Sequence, residues 1–196
     1  QVARSPHGQA VAYPVVRTVQ TDGICTEVVA PAPELDDDRA VEAQAIALSV
    51  AGDLGVVGML AVELFQTRDG RVLINELAMR PHNSGHWTQD ACGTDQFEQM
   101  VRAVTGLPLV DPMRHADVTM HNLVGQDVND LDRYLADPNA HVHLYGKREA
   151  RPGRKMGHLT ALGEPAGPLA LDLQALRDRL VNRSSDAACR PVALHA

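Results

Sequence analysis

Glu63 lies within one apolar run, and the segment INELAMRPHNSGH (residues 74–86) carries Asn75, Glu76, Arg80, His82, Asn83, Ser84 and His86 at the end of another. Register brings the two glutamates together. Asp69-Gly70 is a favoured two-residue type I′ hairpin turn. With those as the turn, Arg68 pairs with Arg71 and, counting back, Glu63 lies directly opposite Glu76. Facing side chains on adjacent strands have Cβ atoms about 4.5–5.5 Å apart, where like charges destabilise. Three readings account for such a pair. The carboxylates share a divalent cation, and Mg²⁺ suits one or two carboxylates plus substrate phosphates. Alternatively the register is slipped by one, with one glutamate in water. In the third, they share a proton that raises one pKa.

The loop after Glu76 offers a second chemistry. Arg, Asn, Ser and His together suit an oxyanion, bound by charge-assisted and neutral hydrogen bonds. The bland alternative is a surface loop satisfying its own backbone through Asn and Ser side chains. His82 and His86 have the spacing of a helical zinc pair, but Pro81, Asn83, Ser84 and Gly85 oppose a helix there. Further on, YGKREARPGRKMGH crowds Lys147, Arg148, Arg151, Arg154 and Lys155 into nine residues. Such a cluster is usually a solvated face, yet a compact basic turn broken by glycines can hold one phosphate.

The elements that position these residues follow from periodicity and punctuation. Residues 11–19 and 24–30 read as strands around the turn TDG. A helix is expected from about Arg39 to Leu54, with Val41, Ala45, Leu48 and Ala51 at helical spacing and Gly55 beyond its end. Strands 56–65 and 71–77 form the hairpin. Residues 94–104 make a helix whose Phe97, Met100, Val101 and Val104 share a face, ended by Gly106 and Pro108. Beyond Val110, strands are expected at 117–125 and 141–147 with a short helix at about 130–138 between them. A strand follows the basic turn, and a last helix is expected over 170–181.

Composition narrows the function classes. The 196 residues are 44% hydrophobic and 22% charged, which is globular rather than disordered. Aromatics make up only 3%, so Val, Leu, Ile and Ala must build the core. A net charge of −7 argues against a nucleic-acid binder, whose affinity rests on neutralised phosphates. The three cysteines, Cys25, Cys92 and Cys189, are far apart without CxxC spacing, which fits a reducing, cytoplasmic setting better than a disulfide framework. No apolar run of about 18 residues exists to cross a membrane. The start lacks an initiator Met and a signal pattern and enters almost directly into a strand, which suggests a chain cut from something longer.

GVVGMLAVELF, LINELAMRPHNSGHWTQDACGTDQFEQMVRAVTGLPL and HLYGKREARPGRKMGHLTALG, in that order, closely resemble the N5-carboxyaminoimidazole ribonucleotide synthase family of ATP-grasp ligases, over about residues 1–165. The run NELAMRPHNSGHWT followed by QFEQMVRAVTGLPL is the specific part; a bare Glu-Asn-Glu pattern would fit any ATP-grasp enzyme. The resemblance implies an α+β fold. Residues 1–108 would be the second, C-terminal lobe of an ATP-grasp domain, an antiparallel sheet with helices. Residues 109–166 would be a small β-rich C-terminal domain, and 167–196 a terminal helix and tail. It implies phosphorylation of bicarbonate by ATP to carboxyphosphate, which carboxylates aminoimidazole ribonucleotide in purine biosynthesis. Glu63 and Glu76 would hold Mg²⁺, and Gln20, Asn75 and Glu76 would line the ATP site. Arg80, His82 and Asn83 would be catalytic. Ser84, Lys147, Arg154 and Lys155 would bind substrate, the last three gripping the ribonucleotide phosphate. The family also suggests a cytoplasmic homodimer.

This chain departs from that pattern at Gln20, where many relatives carry a His. The family's N-terminal domain and the lobe with phosphate-binding lysines would precede residue 1. The rival readings are another ATP-grasp ligase or carboxylase, and a phosphate- or nucleotide-binding fragment without catalytic competence.

Overall fold

Two antiparallel sheets carry the candidate site in the computed structural model, which describes residues 1–163. The strands are β1 (Val2–Arg4), β2 (Ala10–Ala12), β3 (Arg17–Thr21), β4 (Ile24–Ala30), β5 (Gly58–Gln66), β6 (Val72–Ala78), β7 (Asp117–Val124), β8 (Ala140–Leu144) and β9 (Lys155–Gly163). The helices are α1 (Asp37–Asp53), α2 (Thr88–Ala91), α3 (Gln96–Thr105) and α4 (Leu131–Tyr134). One sheet runs β2-β1-β5-β6 and the other β3-β4-β7-β9-β8. Because β4 pairs with β7, the second sheet continues across residue 108. The expected helix over 170–181 lies outside the described residues. Among those described, no helix is long and apolar enough to cross a membrane.

The single strand expected over 11–19 is two strands in different sheets. Pro14, which has no N–H to give a ladder, sits in the segment between them. The Tyr13 N–H donates to Gln1 O, and the Val15 carbonyl accepts from Ala32 N.

The two Asp-Gly hairpins differ. In β3–β4, Thr21 pairs with Ile24 around Asp22 (φ 51°) and Gly23 (φ 75°), the paired positive φ of a type I′ turn. In the β5–β6 loop only Gly70 has positive φ (83°), and the backbones of Thr67 and Arg71 bond across three residues. The two-residue turn expected there is therefore wrong. Side chains decide the difference: Thr67 Oγ1 accepts from Arg71 N at 2.9 Å and also bonds Asp69, whose carboxylate holds Arg71 Nε at 2.9 Å. The ladder beside the loop is accordingly one residue out, pairing Leu64 with Ile74. A bulge at Asn75 restores it, pairing Glu63 with Glu76. The expected glutamate pair is present, reached by two offsets that cancel.

Both long helices bury only part of the apolar stripe their sequences suggest: Leu48 and Ala51 of α1 and Met100 of α3 pack on the core, and the rest turns outward. In α1, Val41 and Ala45 are exposed while Ala43, Ala47 and Ala51 are buried. Small residues let the helix lie close to β1, β2 and β5, with Val2, Val56 and Leu60 in the shared core. Gln44 turns inward, donating to Tyr13 O at 3.0 Å. In α3, Phe97, Val101 and Val104 are exposed at 42%, 57% and 47%, whereas Gln96, Gln99 and Ala103 are buried. Gln99 clamps Val110, donating to its carbonyl at 2.6 Å and accepting from its N–H at 3.1 Å. Unsatisfied buried polar groups cost about 1–3 kcal/mol each. Full burial of a Val or Phe side chain contributes about 1.5–3 kcal/mol, and these three forfeit only part of it. Leaving both Val110 groups unsatisfied would cost about 2–6 kcal/mol, comparable with what the partly exposed apolar side chains forfeit.

Asp95 caps α3, its carboxylate accepting from Phe97 N (2.6 Å) and Glu98 N (3.0 Å). Asp95→Ala is expected to cost about 1 kcal/mol of stability. Chemical unfolding of parent and variant would check it, and an unchanged midpoint would mean the cap contributes nothing.

Candidate active site

The bulge explains why Asn75 and Glu76, neighbours in a strand, serve one site. In a regular strand they would face opposite sides. A bulged strand sets two residues against one on its partner and re-aims a side chain. Asn75 Nδ2 accordingly donates to Glu63 Oε2 at 3.3 Å, while Glu76 faces Glu63 across the ladder. Ligand atoms of Glu63, Glu76 and His82 all lie within 4.8 Å of one another. His82 Nε2 is 3.7 Å from Glu63 Oε1. The His82 Nδ1 receives the Ser84 N–H at 3.4 Å and lies 2.9 Å from Ser84 Oγ. That leaves Nε2 as the protonated nitrogen, directed at the carboxylate. Burial pulls the His82 pKa down, against the opposing pull of Glu63.

These groups line a cleft of about 890 Å³ between the β3–β4 and β5–β6 hairpins and α1. Of the residues singled out from sequence, Gln20, Glu63, Asn75, Glu76, His82, Ser84 and Lys155 line it. Arg80, Asn83, Lys147 and Arg154 do not. Arg80 is exposed, donating to Pro81 O at 3.1 Å, but its charge acts on His82 and Lys155. Asn83 lies behind Lys155, accepting from its Nζ at 3.1 Å. Lys147 folds onto its own turn, bonding Lys155 O with its ammonium 5.4 Å from the Tyr145 ring. Arg154 donates to Glu149 O at 3.3 Å. The basic cluster is thus divided: Lys155 joins the carboxylates, while Lys147 and Arg154 stay in the turn.

Two supporting residues were not singled out from sequence. Gln96 accepts from His82 N (2.8 Å), donates to His82 O (2.9 Å) and lies 2.8 Å from His86 Nδ1, pinning the loop to the start of α3. Asn122 on β7 exchanges two 2.7 Å bonds with Asn83. The available signal was a polar residue in an inward series: Asn122 follows Val118 and Met120 at two-residue spacing.

A second cluster joins α2 to β8 and β9. His143 Nε2 lies 3.0 Å from both Asp90 oxygens, and Tyr145 OH bonds His158 Nδ1 at 2.9 Å. The His143 and His158 rings stack at 4.5 Å and 12°, and His86 also stacks on His158, at 5.0 Å. Although Asp90, His143 and His158 offer ligand atoms within 4.8 Å, lone pairs lie in the ring planes. Parallel stacked rings do not aim both at one ion. Burial holds His86 near 4 and His158 near 3, so both are neutral.

Two family profiles match the chain: that of the ATP-grasp domain over residues 1–97, and that of the phosphoribosylaminoimidazole carboxylase C-terminal domain over 118–170. The chain is 55% identical over 177 residues to the N5-carboxyaminoimidazole ribonucleotide synthase of Mycobacterium tuberculosis, covering 86% of this chain and 41% of that one. It resembles the N5-carboxyaminoimidazole synthase of Aspergillus clavatus solved with ADP and 5-aminoimidazole ribonucleotide (TM-score 0.84, 33% identity, 92% of this chain and 50% of that one). The Thermus thermophilus synthetase structure aligns with a TM-score of 0.78 and 36% identity, over 98% of this chain and 51% of that one. The chain spans about half the length of the relatives it matches.

The buried imidazoles set a pH dependence. Free histidine titrates near 6.5, so below that the unfolded chain takes up protons that folded His86 and His158 refuse. Stability should hold above pH about 6.5 and fall as pH drops toward 4, each histidine adding a slope of at most about 1.4 kcal/mol per pH unit. His158→Phe keeps a ring in the stack and should make the decline shallower by up to that amount. Thermal unfolding from pH 7.5 to 4.5 measures it; identical slopes would refute the assignment.

Proposed function

The chain belongs to the N5-carboxyaminoimidazole ribonucleotide synthase family of ATP-grasp ligases, and on that premise we propose that it supplies the metal and anion end of a site that carboxylates 5-aminoimidazole ribonucleotide with ATP and bicarbonate. The observation that carries this is the facing Glu63–Glu76 pair, with His82 and Lys155 in the same cleft. We assign residues 1–108 to the ATP-grasp lobe and 109–166 to the small C-terminal domain.

An oxygen-dominated donor set suits Mg²⁺, which would supply Lewis-acid charge stabilisation for phosphoryl transfer. Glu63 and Glu76 would hold it, and each carboxylate's repulsion of the other would be relieved by the shared cation. Asn75 and Gln20 would contact the nucleotide from the two hairpins. His82, neutral and with Nε2–H directed at Glu63, would orient that carboxylate and donate to an oxyanion beside it. Lys155 would neutralise an anionic substrate group at the same end, with Ser84 as a hydroxyl partner. Arg80 would add positive charge from the rim. Lys147 and Arg154, in the turn beyond Lys155, would meet the ribonucleotide phosphate once their side chains swing from their present backbone acceptors. Carboxyphosphate formed at the carboxylate end would then meet the amine of the ribonucleotide. We place the enzyme in the cytoplasm, as a homodimer.

Charge balance in the cleft favours a second reading for the chain by itself: nucleotide binding without turnover. Among its described lining residues, Arg17 is paired with Glu27 and Glu34, and Arg39 with Glu42. Lys155 remains to face a polyphosphate.

ADP release with Mg²⁺, ATP and bicarbonate, with and without aminoimidazole ribonucleotide, distinguishes these readings. Release dependent on the ribonucleotide supports the carboxylation; Mg²⁺-dependent ADP binding without release supports the second reading. Where turnover occurs, Glu76→Gln should lower it by on the order of 10²–10³-fold, several kcal/mol of lost charge stabilisation, with the fold retained. Normal turnover in that variant would sink the metal role. Arg154→Ala should weaken ribonucleotide binding more than ATP binding; equal effects would remove that assignment.

A further inference from the structure

We propose that Asn122 is a positioning residue for the cleft: it fixes the orientation of the Asn83 amide and, through it, places the Lys155 ammonium at the carboxylate end. The inference deepens the functional reading above and rests on it for the identity of the anion Lys155 meets.

The argument is one of hydrogen-bond polarity. Asn122 is 5% exposed, and its Nδ2 donates to the Cys25 carbonyl at 2.9 Å. A backbone carbonyl only accepts, so this bond decides which end of the Asn122 amide is nitrogen. Asn122 then presents Oδ1 and its second Nδ2 proton to Asn83, and the two amides exchange bonds of 2.7 Å each. Turning either amide over would set oxygen against oxygen and nitrogen against nitrogen. The Asn83 Oδ1 is therefore fixed as well, and it accepts from Lys155 Nζ at 3.1 Å. A flipped Asn83 would instead offer N–H to an ammonium that carries only donors.

Saturation completes the device. Both Asn122 Nδ2 protons are used, as are two acceptor directions of Asn83 Oδ1. Lys155 retains two protons for a ligand in the cleft it lines, near the charges of Glu63 and Arg80. The relay crosses four segments of the fold: β4 at Cys25, β7 at Asn122, the loop at Asn83 and β9 at Lys155. A carbonyl on one strand thus dictates where a cation stands on another.

A double-mutant cycle on this chain tests the relay with inorganic phosphate as the probe, its binding followed by ³¹P NMR. Asn122→Leu should weaken phosphate binding about tenfold, or about 1.4 kcal/mol, and should cost nothing further in a Lys155→Ala background. A merely structural role would weaken both backgrounds alike, so additive effects would overturn the proposal. So would failure of the parent chain to bind phosphate, or unchanged binding in Asn122→Leu. Should Asn122→Leu not fold, Asn122→Ser leaves Cys25 accessible to a water but cannot clamp the Asn83 amide, and carries the same expectation. If the cycle shows coupling while ribonucleotide-dependent ADP release is absent, turnover by the chain by itself falls and the positioning role stands.

Discussion

The site depends on two like-charged side chains being held face to face. Glu63 and Glu76 oppose each other on adjacent strands, an arrangement that destabilises a sheet unless something positive joins it. The hairpin makes that arrangement hard to escape. Its loop is fastened by Thr67, Asp69 and Arg71, and the bulge at Asn75 absorbs the offset the loop creates. Without the bulge, Glu63 would meet a neighbour of Glu76, and a one-residue slip sends a strand's side chains to the opposite face. The bulge also brings Asn75 onto Glu63. One irregularity therefore sets the register of the pair and recruits a third polar group to it.

Around this pair the fold uses amide side chains where a loop backbone has no strand to bond. Gln44 serves Tyr13, Gln96 serves His82, Gln99 serves Val110, and Gln9 bonds both N–H and carbonyl of Leu109. Each is a local solution to the requirement that buried backbone groups be paired. Gln44, Gln96 and Gln99 thereby face inward on α1 and α3, while Val41, Phe97, Val101 and Val104 stay exposed. The loop that carries His82 and Ser84 is in this way held by a helix whose own sequence advertises a different surface.

This explains what could be read from the sequence and what could not. The strand, helix and turn order, the glutamate pair and the polar loop were legible because period-two patterning, Asp-Gly turns and Gly or Pro stops are local signals. The break between β2 and β3 carried only one local sign, Pro14. Helix rotation was only partly legible from periodicity: Met100 of the apolar stripe packs on the core, but Phe97, Val101 and Val104 face outward while Gln96, Gln99 and Ala103 are buried by tertiary contacts. The Glu63–Glu76 register does not rest on an Asp-Gly turn: the dipeptide that forms a type I′ turn at Asp22-Gly23 does not form one at Asp69-Gly70, and the bulge at Asn75 supplies the compensating offset. A compact basic turn able to hold one phosphate is legible from sequence, whereas the placement of its residues is set by strand geometry. Lys155 begins β9 and enters the cleft, whereas Arg154 still belongs to the turn.

The division of labour between the two sheets follows from how directional each kind of contact is. The carboxylates stand on β5 and β6 of one sheet, and Lys155 stands on β9 of the other, so the relative placement of the sheets sets the charge geometry of the cleft. Apolar contact alone would hold the sheets together but is non-directional and tolerates sliding. Hydrogen bonds between amides are not tolerant, because they weaken steeply as the angle at the proton departs from linearity. The paired amides of Asn83 and Asn122, the Gln96 clamp on His82 and the Asp90–His143 contact all lie where the loop and α2 meet the second sheet or the start of α3. Apolar cores at Val28, Met59 and Met120 provide cohesion, and the buried amides provide alignment. A site that must bring a cation to within reach of two carboxylates needs the second more than the first.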